Sequence, residues 1–370
     1  MNLRATTLTL TSTLALAAML GCSHPYPAAP PPGIAMAPAA ALRSPIEQPP
    51  APTNEPYDCG PPVAIGPDIT VATPQPDDMQ AAVYSESAAA LHELAHRVTI
   101  AGNEFQRTGN ANAARCVVTL LADVALHHGM DGYIADFPAW KQQNITLRAV
   151  SIAWLKILPA NAATHEQAGL ITAWMRDIVH NERAEFSQAR CARDGCPIDG
   201  HSGVGVAVAA AAIAIATQDH GLFHWAIDRY RTTVVNIEDR GMIRWDIQRH
   251  DALRYNLEAA AGLVQLAEFG EANNIPMYDF ANGRLHLLVH TVARGILDPG
   301  PFAEAAHWSQ RMPKKLEPWE ISWAGTYASR FPEPVLTSLM QQAGPASADM
   351  WAADPWDDGA DTANHIGETH

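Results

Sequence analysis

From about Met79 to Gln342 the apolar residues return every three to four positions, with Gly, Pro or Asn breaking the rhythm between segments. That period predicts helices near 79–108, 111–129, 138–158, 163–188, 202–217, 221–236, 251–269, 280–296, 318–329 and 334–342. The two-residue alternation of a strand is almost absent. Consecutive helices of similar length with short connections form antiparallel hairpins. The expected fold is therefore all-α: a closed or nearly closed ring of such hairpins, an α/α toroid, with one concave face at its centre. The stretch 202–217 is apolar on every side, as a helix buried on all faces must be. Its glycines and alanines imply close packing against neighbouring helices. His201 then stands where a core helix emerges into a pocket.

Outside this pattern lie two stretches of different composition. Arg4 precedes an apolar run from Leu8 to Leu20, and Gly21-Cys22 follows, which reads as a lipoprotein-type signal peptide over 1–21. The apolar run is too short for a stable membrane span. Cleavage before Cys22 would leave a lipidated N-terminus, so the expected location is the periplasm, anchored to the outer membrane. An ordinary secretion signal is the alternative. Residues 22–56 are dominated by Pro and Ala and read as a semi-rigid tether. The folded domain is expected over 57–345, followed by an acidic disordered tail at 346–370.

Four cysteines remain after Cys22. An even number in an exported chain favours disulfides, and the short separation of Cys191 and Cys196 pairs them, leaving Cys59 with Cys116. The spacing is not that of a zinc site. The net charge of −15 and only four lysines, with no basic cluster, argue against a nucleic-acid partner. The only membrane contact expected is through a lipid at Cys22, and the chain is expected to be a monomer.

Chemistry concentrates in two stretches: Asp199-Gly200-His201-Ser202, and the run from Gly241 through Arg249 to Tyr255. A histidine, an arginine and a tyrosine around one helical hairpin suit β-elimination on an acidic sugar. The carboxylate beside the proton to be removed must be neutralised, which the planar fork of Arg does well. Tyrosine beside a cation can take up the proton and protonate the leaving oxygen. Six residues separate Arg249 and Tyr255, too many for one helix face. Asp251 as N-cap would put Arg249 in the preceding loop, free to reach the same pocket. Taken singly, each has a plainer reading: a helix-start histidine capped by Asp199, an interior Arg249 pair with Asp246 or Asp251, and a core tyrosine. Arg254 and Glu258, four apart, read as a helix-surface ion pair.

The run His201-Ser202, Gly221-Leu222-Phe223-His224-Trp225, Tyr230, Gly241, Arg249 and Ala252-Leu253-Arg254-Tyr255 resembles the periplasmic mannuronate-specific alginate lyases. The resemblance extends from Asp58-Cys59-Gly60-Pro61-Pro62 through Arg115-Cys116 to Leu316-Glu317-Pro318-Trp319, Trp323 and Tyr327. It implies an incomplete α/α toroid with a tunnel-like cleft, an acidic polysaccharide as partner and no cofactor or metal. It also implies Tyr255 as base and acid, with His201 and Arg249 at the carboxylate. Trp140, Arg148, Arg193 and Asp199 are candidates for binding the polymer, Trp140 having a core placement as its competing reading, like Tyr133. The chain departs from the family pattern where Gly200 replaces an asparagine, where Gly203-Val204 replace aromatic residues, and where no lysine precedes Lys141. A toroid that kept polysaccharide binding and lost turnover is the alternative function. A third reading is a zinc peptidase through His92-Glu93-Leu94-Ala95-His96, which has the spacing of an HExxH helix but lacks a third ligand at the usual distance.

Overall fold

The computed structural model describes residues 35–37, 52–69, 86–134, 137–188, 200–248, 250–310 and 318–343. Eleven α-helices occur among them: α1 (Glu86–Thr108), α2 (Ala111–Leu126), α3 (Phe137–Ile157), α4 (His165–Gln188), α5 (His201–Thr217), α6 (His220–Val235), α7 (Ala252–Ala272), α8 (Phe280–Leu297), α9 (Gly300–Ala306), α10 (Pro318–Arg330) and α11 (Pro334–Ala343). Extended pairing among the described residues is confined to isolated bridges, Thr53 with Asn110, Ile69 with Ile134 and Ile237 with Ile243.

The helices form two layers. The inner series α1, α3, α5, α7 and α10 packs neighbour to neighbour, and α2, α4, α6, α8 and α11 back it as hairpin partners. This is the incomplete α/α toroid that the resemblance implies, built from the hairpins that the period predicts. The hairpin turns follow from local chemistry. Gln218 ends α5 in the left-handed region at φ 57°, and the next residue, Asp219, caps α6 by accepting the Leu222 N–H at 2.9 Å.

Helix α5 is buried at Val204 and from Val206 to Ile215, as its uniformly apolar sequence requires. Its approach to both inner neighbours depends on glycines. A methyl group at Gly205 would come within 2.9 Å of Asn144 Oδ1 on α3. One at Gly262 of α7 would come within 2.5 Å of Val204 on α5. Absent side chains at these two positions thus fix how near α3 and α7 lie to His201.

The described residues depart from the sequence expectation in four places. Packing begins before residue 57: Thr53 exchanges backbone hydrogen bonds with Gly109 and Ala111, and the Asn112 amide reaches the carbonyls of Asn54 and Glu55. Within the Pro/Ala-rich stretch, Met36 is buried, its backbone held by the Gln218 amide, and Asn273 does the same for Ala37. The short helix α9, seven residues long, lies between two expected helices where none was read. Helix α8 opens with Ala281, Asn282 and Gly283 all at positive φ, a left-handed turn that precedes its regular body.

Cys59 and Cys116 form a disulfide that ties the segment before α1 to α2. The signal peptide, Cys22, the Cys191–Cys196 pair and the tail 346–370 lie outside the described residues. Among the described residues no helix is long and apolar enough to cross a membrane.

The packing at Gly262 generates a prediction. Gly262→Val forces α7 away from Val204 and should cost about 1–3 kcal/mol of stability, read as a lowered midpoint in denaturant unfolding.

Candidate active site

Helix α5 starts at His201, and its N-cap residue, Gly200, is extended and has no side chain with which to close the helix end. The closing group comes from 45 residues further along. Asp246, fully buried, accepts the His201 backbone N–H at 3.1 Å through Oδ2 and the imidazole Nδ1 at 2.9 Å through Oδ1. A buried carboxylate at a helix N-terminus also meets the positive end of the helix dipole. Since a carboxylate only accepts, Nδ1 carries the hydrogen. The other nitrogen, Nε2, faces Ser202 Oγ at 3.1 Å and Glu258 Oε2 at 3.9 Å.

A small hairpin delivers Asp246 to this place. Ile237 bridges Ile243, the Glu238 N–H meets the Met242 carbonyl at 2.8 Å, and Gly241 turns the chain at φ +78°. No other residue fits that turn readily: a methyl group there would lie 2.1 Å from Thr291 Oγ1. The 3-10 turn Asp246–Gln248 follows, and Asn256 of α7 accepts the Ile243 N–H at 2.7 Å, joining hairpin to helix.

Tyr255 lies in the first turn of α7, with its N–H on the Asp251 carbonyl at 3.0 Å. Asp251 occupies the expected N-cap position, although its side chain makes no capping bond. The Tyr255 ring stacks on the His201 imidazole, with centroids 4.3 Å apart and planes 7° from parallel. Histidine and tyrosine, 54 residues apart, therefore share one site.

Gly200 acquires a reason here. A methyl group at this position would come within 2.6 Å of Asp246 Oδ1. The missing asparagine and the seat of Asp246 are one feature: no side chain fits while this carboxylate holds His201.

A cluster of charge borders the imidazole. Arg254 Nε lies 3.4 Å from Glu258 Oε1, as the four-residue spacing predicts. The pair is not a simple surface ion pair, because Glu258 also faces His201. Burial pushes the Glu258 carboxyl up, but Lys141, His201, Arg254 and Arg148 outweigh it and hold the group at about 2. Lys141 and Arg148 stand seven residues apart, on one face of α3. Burial draws the Arg148 guanidinium below its ordinary value, and Glu258 partly restores it. Of the binding candidates, Arg148 thus joins the site.

Trp140 does not. It is 6% exposed within the core, its ring covered by protein, because its position on α3 faces the packed interior. Tyr133, by contrast, is 62% exposed. Arg249, Arg193 and Asp199 lie outside the described residues. The His92 and His96 rings are 6.2 Å apart on α1, and Glu93 lies 3.7 Å from Arg97. Among the described residues no three His, Cys, Asp or Glu side chains are grouped to hold a metal.

Sequence reasoning missed Lys141 and Ser202 as site residues and the contact of Asp246 with His201; its Arg254–Glu258 pair forms, but the approach of Glu258 to His201 was not foreseen. The spacing of Glu258 three residues after Tyr255, on the same helix face, was the available signal. Asp246 had none, since its contact with His201 spans 45 residues.

The sequence pattern of the alginate lyase family matches residues 53–302. An alginate lyase of Pseudomonas putida (strain W619) is 27% identical over 267 residues, 69% of this chain and 71% of its own length. Another, of Azotobacter chroococcum mcd 1, is 28% identical over 186 residues, 50% of this chain and 49% of its own. The chain therefore spans between half and seven-tenths of these relatives. Among solved structures, alginate lyase A1-III from Sphingomonas species A1 superposes with a TM-score of 0.65 at 18% identity, covering 81% of this chain and 88% of that one. A tyrosine-to-phenylalanine variant of that enzyme, complexed with a tetrasaccharide, gives 0.66 at 18% identity, over 78% and 82% of the two chains. At this identity the superpositions speak for the toroid alone.

The depressed Glu258 carboxyl sets a pH signature. Its ordinary value is 4.5 and its value in the fold about 2. The stability it contributes is complete above the ordinary value and is lost as pH falls through the folded one. The melting-temperature gap between wild type and Glu258→Gln should be constant from about pH 7 to 5 and close between about pH 4.5 and 2. A gap that ignores this window contradicts the assignment.

Proposed function

The chain belongs to the alginate lyase family, and we propose that it cleaves a mannuronate-like, uronate-containing polymer by β-elimination. The observation that carries this reading is the stacked pair of His201 and Tyr255, with the imidazole fixed through Nδ1 by buried Asp246. In the reaction the C5–H bond breaks, a double bond forms between C4 and C5, and the C4–O4 bond breaks. The proton from C5 leaves with a base, and O4 gains one as the new chain end departs. Tyr255 serves as base and then acid. His201 and Arg249 bind the carboxylate whose charge otherwise opposes removal of the neighbouring proton, and Lys141 and Arg148 add positive charge from α3.

Each structural element has a task in this scheme. Asp246 holds the imidazole orientation, so that Nε2 alone is presented to substrate. Stacking against the ring limits rotation of Tyr255 and keeps its hydroxyl in a fixed arc. The buried α5 helix supplies the rigid base from which His201 projects. No step requires a cofactor.

We further infer, from the N-terminal sequence, an exported monomer held at the outer membrane by a lipid on Cys22, with the polymer as its partner.

Incubating the full chain with polymannuronate and following ultraviolet absorbance of the unsaturated uronate tests the proposal. Wild type should give a rising signal that Tyr255→Phe abolishes. Asp246→Asn keeps the shape but removes the charge that orients His201, and should lower kcat by about 10²–10⁴-fold. Binding of the polymer by wild type without absorbance change would replace the lyase with a binding protein.

A further inference from the structure

The surroundings of His201 leave one edge of its ring for a substrate. Asp246 takes the Nδ1 edge and Tyr255 covers a face. The Nε2 edge looks toward Ser202 and toward Glu258, whose carboxylate lies 3.9 Å away and is 35% exposed. Glu258 is one helical turn beyond Tyr255, so the carboxylate and the phenol ring line the same side of α7. Cations converge on it, Arg254 from its own helix and Lys141 and Arg148 from α3, and the His201 imidazole of α5 faces it.

A polyuronate lyase needs cations in the same location. The carboxyl carbon of a uronate is bonded to C5, so wherever the C5 proton meets Tyr255 the carboxylate sits one bond away. Among the described residues, the imidazole that stacks on Tyr255 also faces Glu258, and Arg254, Lys141 and Arg148 gather around that same carboxylate. We propose that Glu258 holds the seat of the substrate carboxylate and competes with it, so that this one side chain sets the affinity of the site for uronates. The identity of the competitor rests on the lyase reading; the presence of a carboxylate seat does not.

The physical consequence is an exchange of anions. A uronate entering the cluster must turn Glu258 outward toward solvent, which its partial exposure and long side chain allow. The energy gained from the cations is then the difference between two carboxylates instead of the whole attraction of one. With a chain charge of −15, this arrangement weakens binding of a polyanion further.

Removing the carboxylate should open the seat. Glucuronate, a free uronate, is the probe, and the melting temperature of the full chain is the first readout. Glu258→Gln should bind glucuronate and melt higher in its presence at concentrations that leave wild type unshifted. Its KM for polymannuronate should fall by about fivefold or more. Glu258→Asp draws the charge back by one carbon and should give an intermediate response if Glu258→Gln folds poorly. Glu93→Gln, which removes a carboxylate from the remote Arg97 pair, should behave as wild type.

No gain in glucuronate binding by Glu258→Gln, or a rise in KM, overturns the proposal: Glu258 would then serve to hold the cations in place. The two readings fail separately. Wild type that cleaves polymannuronate while Glu258→Gln gains nothing removes only the carboxylate seat. Gain of glucuronate binding with no cleavage by wild type removes only the lyase.

Discussion

Everything around the site depends on one buried carboxylate reaching one helix end. Asp246 is fully enclosed, and a carboxylate in that position is costly unless it is both hydrogen-bonded and near positive charge. It has both: the backbone N–H and the imidazole of His201, and the positive end of the α5 dipole. The contact fixes the imidazole, closes the start of buried helix α5 and pins the hairpin that follows α6. It also dictates Gly200, because no side chain fits between the helix end and the acid.

The toroid keeps this contact in register by holding α7 at both ends. Near its start, Gln310 accepts the Leu253 N–H at 2.9 Å and donates to the His250 carbonyl at 2.8 Å. Toward its far end, buried Glu268 takes two bonds from Arg330 of α10, at 2.6 and 2.9 Å, and one from the Tyr278 hydroxyl at 2.8 Å. Between these anchors Gly262 lets α7 lie directly against α5. Tyr255 therefore meets His201 through the rigid packing of two helices. A catalytic pair built on elements this constrained has little freedom to lose its geometry.

How much of this was legible in the sequence depended on range. Helix positions follow from a period that each segment carries within itself, and ten of the eleven helices could be read in that way. The exception, α9, is seven residues long and begins in Pro and Gly, too short for a period to emerge. His201 and Tyr255 were visible as motif residues, yet their stacking depends on how close α5 and α7 come. Asp246 was visible only as a possible pair partner for Arg249, because its contact with His201 spans 45 residues. Glu258 looked like half of a local ion pair, since the spacing to Arg254 explained it fully. The cations of α3 and the imidazole of α5 changed its meaning only once the inner layer brought those helices together. Trp140 carried two readings, a sugar platform near a loop and a core ring, and the fold turned it inward.

A crystal structure of the Tyr255→Phe variant with a tetramer of mannuronate tests the central claim most directly. The account predicts a sugar whose C5 hydrogen points at the substituted ring, with its carboxylate at the Nε2 edge of His201 among Lys141, Arg148 and Arg254. Asp246 should remain on Nδ1. A tetramer bound elsewhere in the toroid, with no carboxylate near His201, would contradict it.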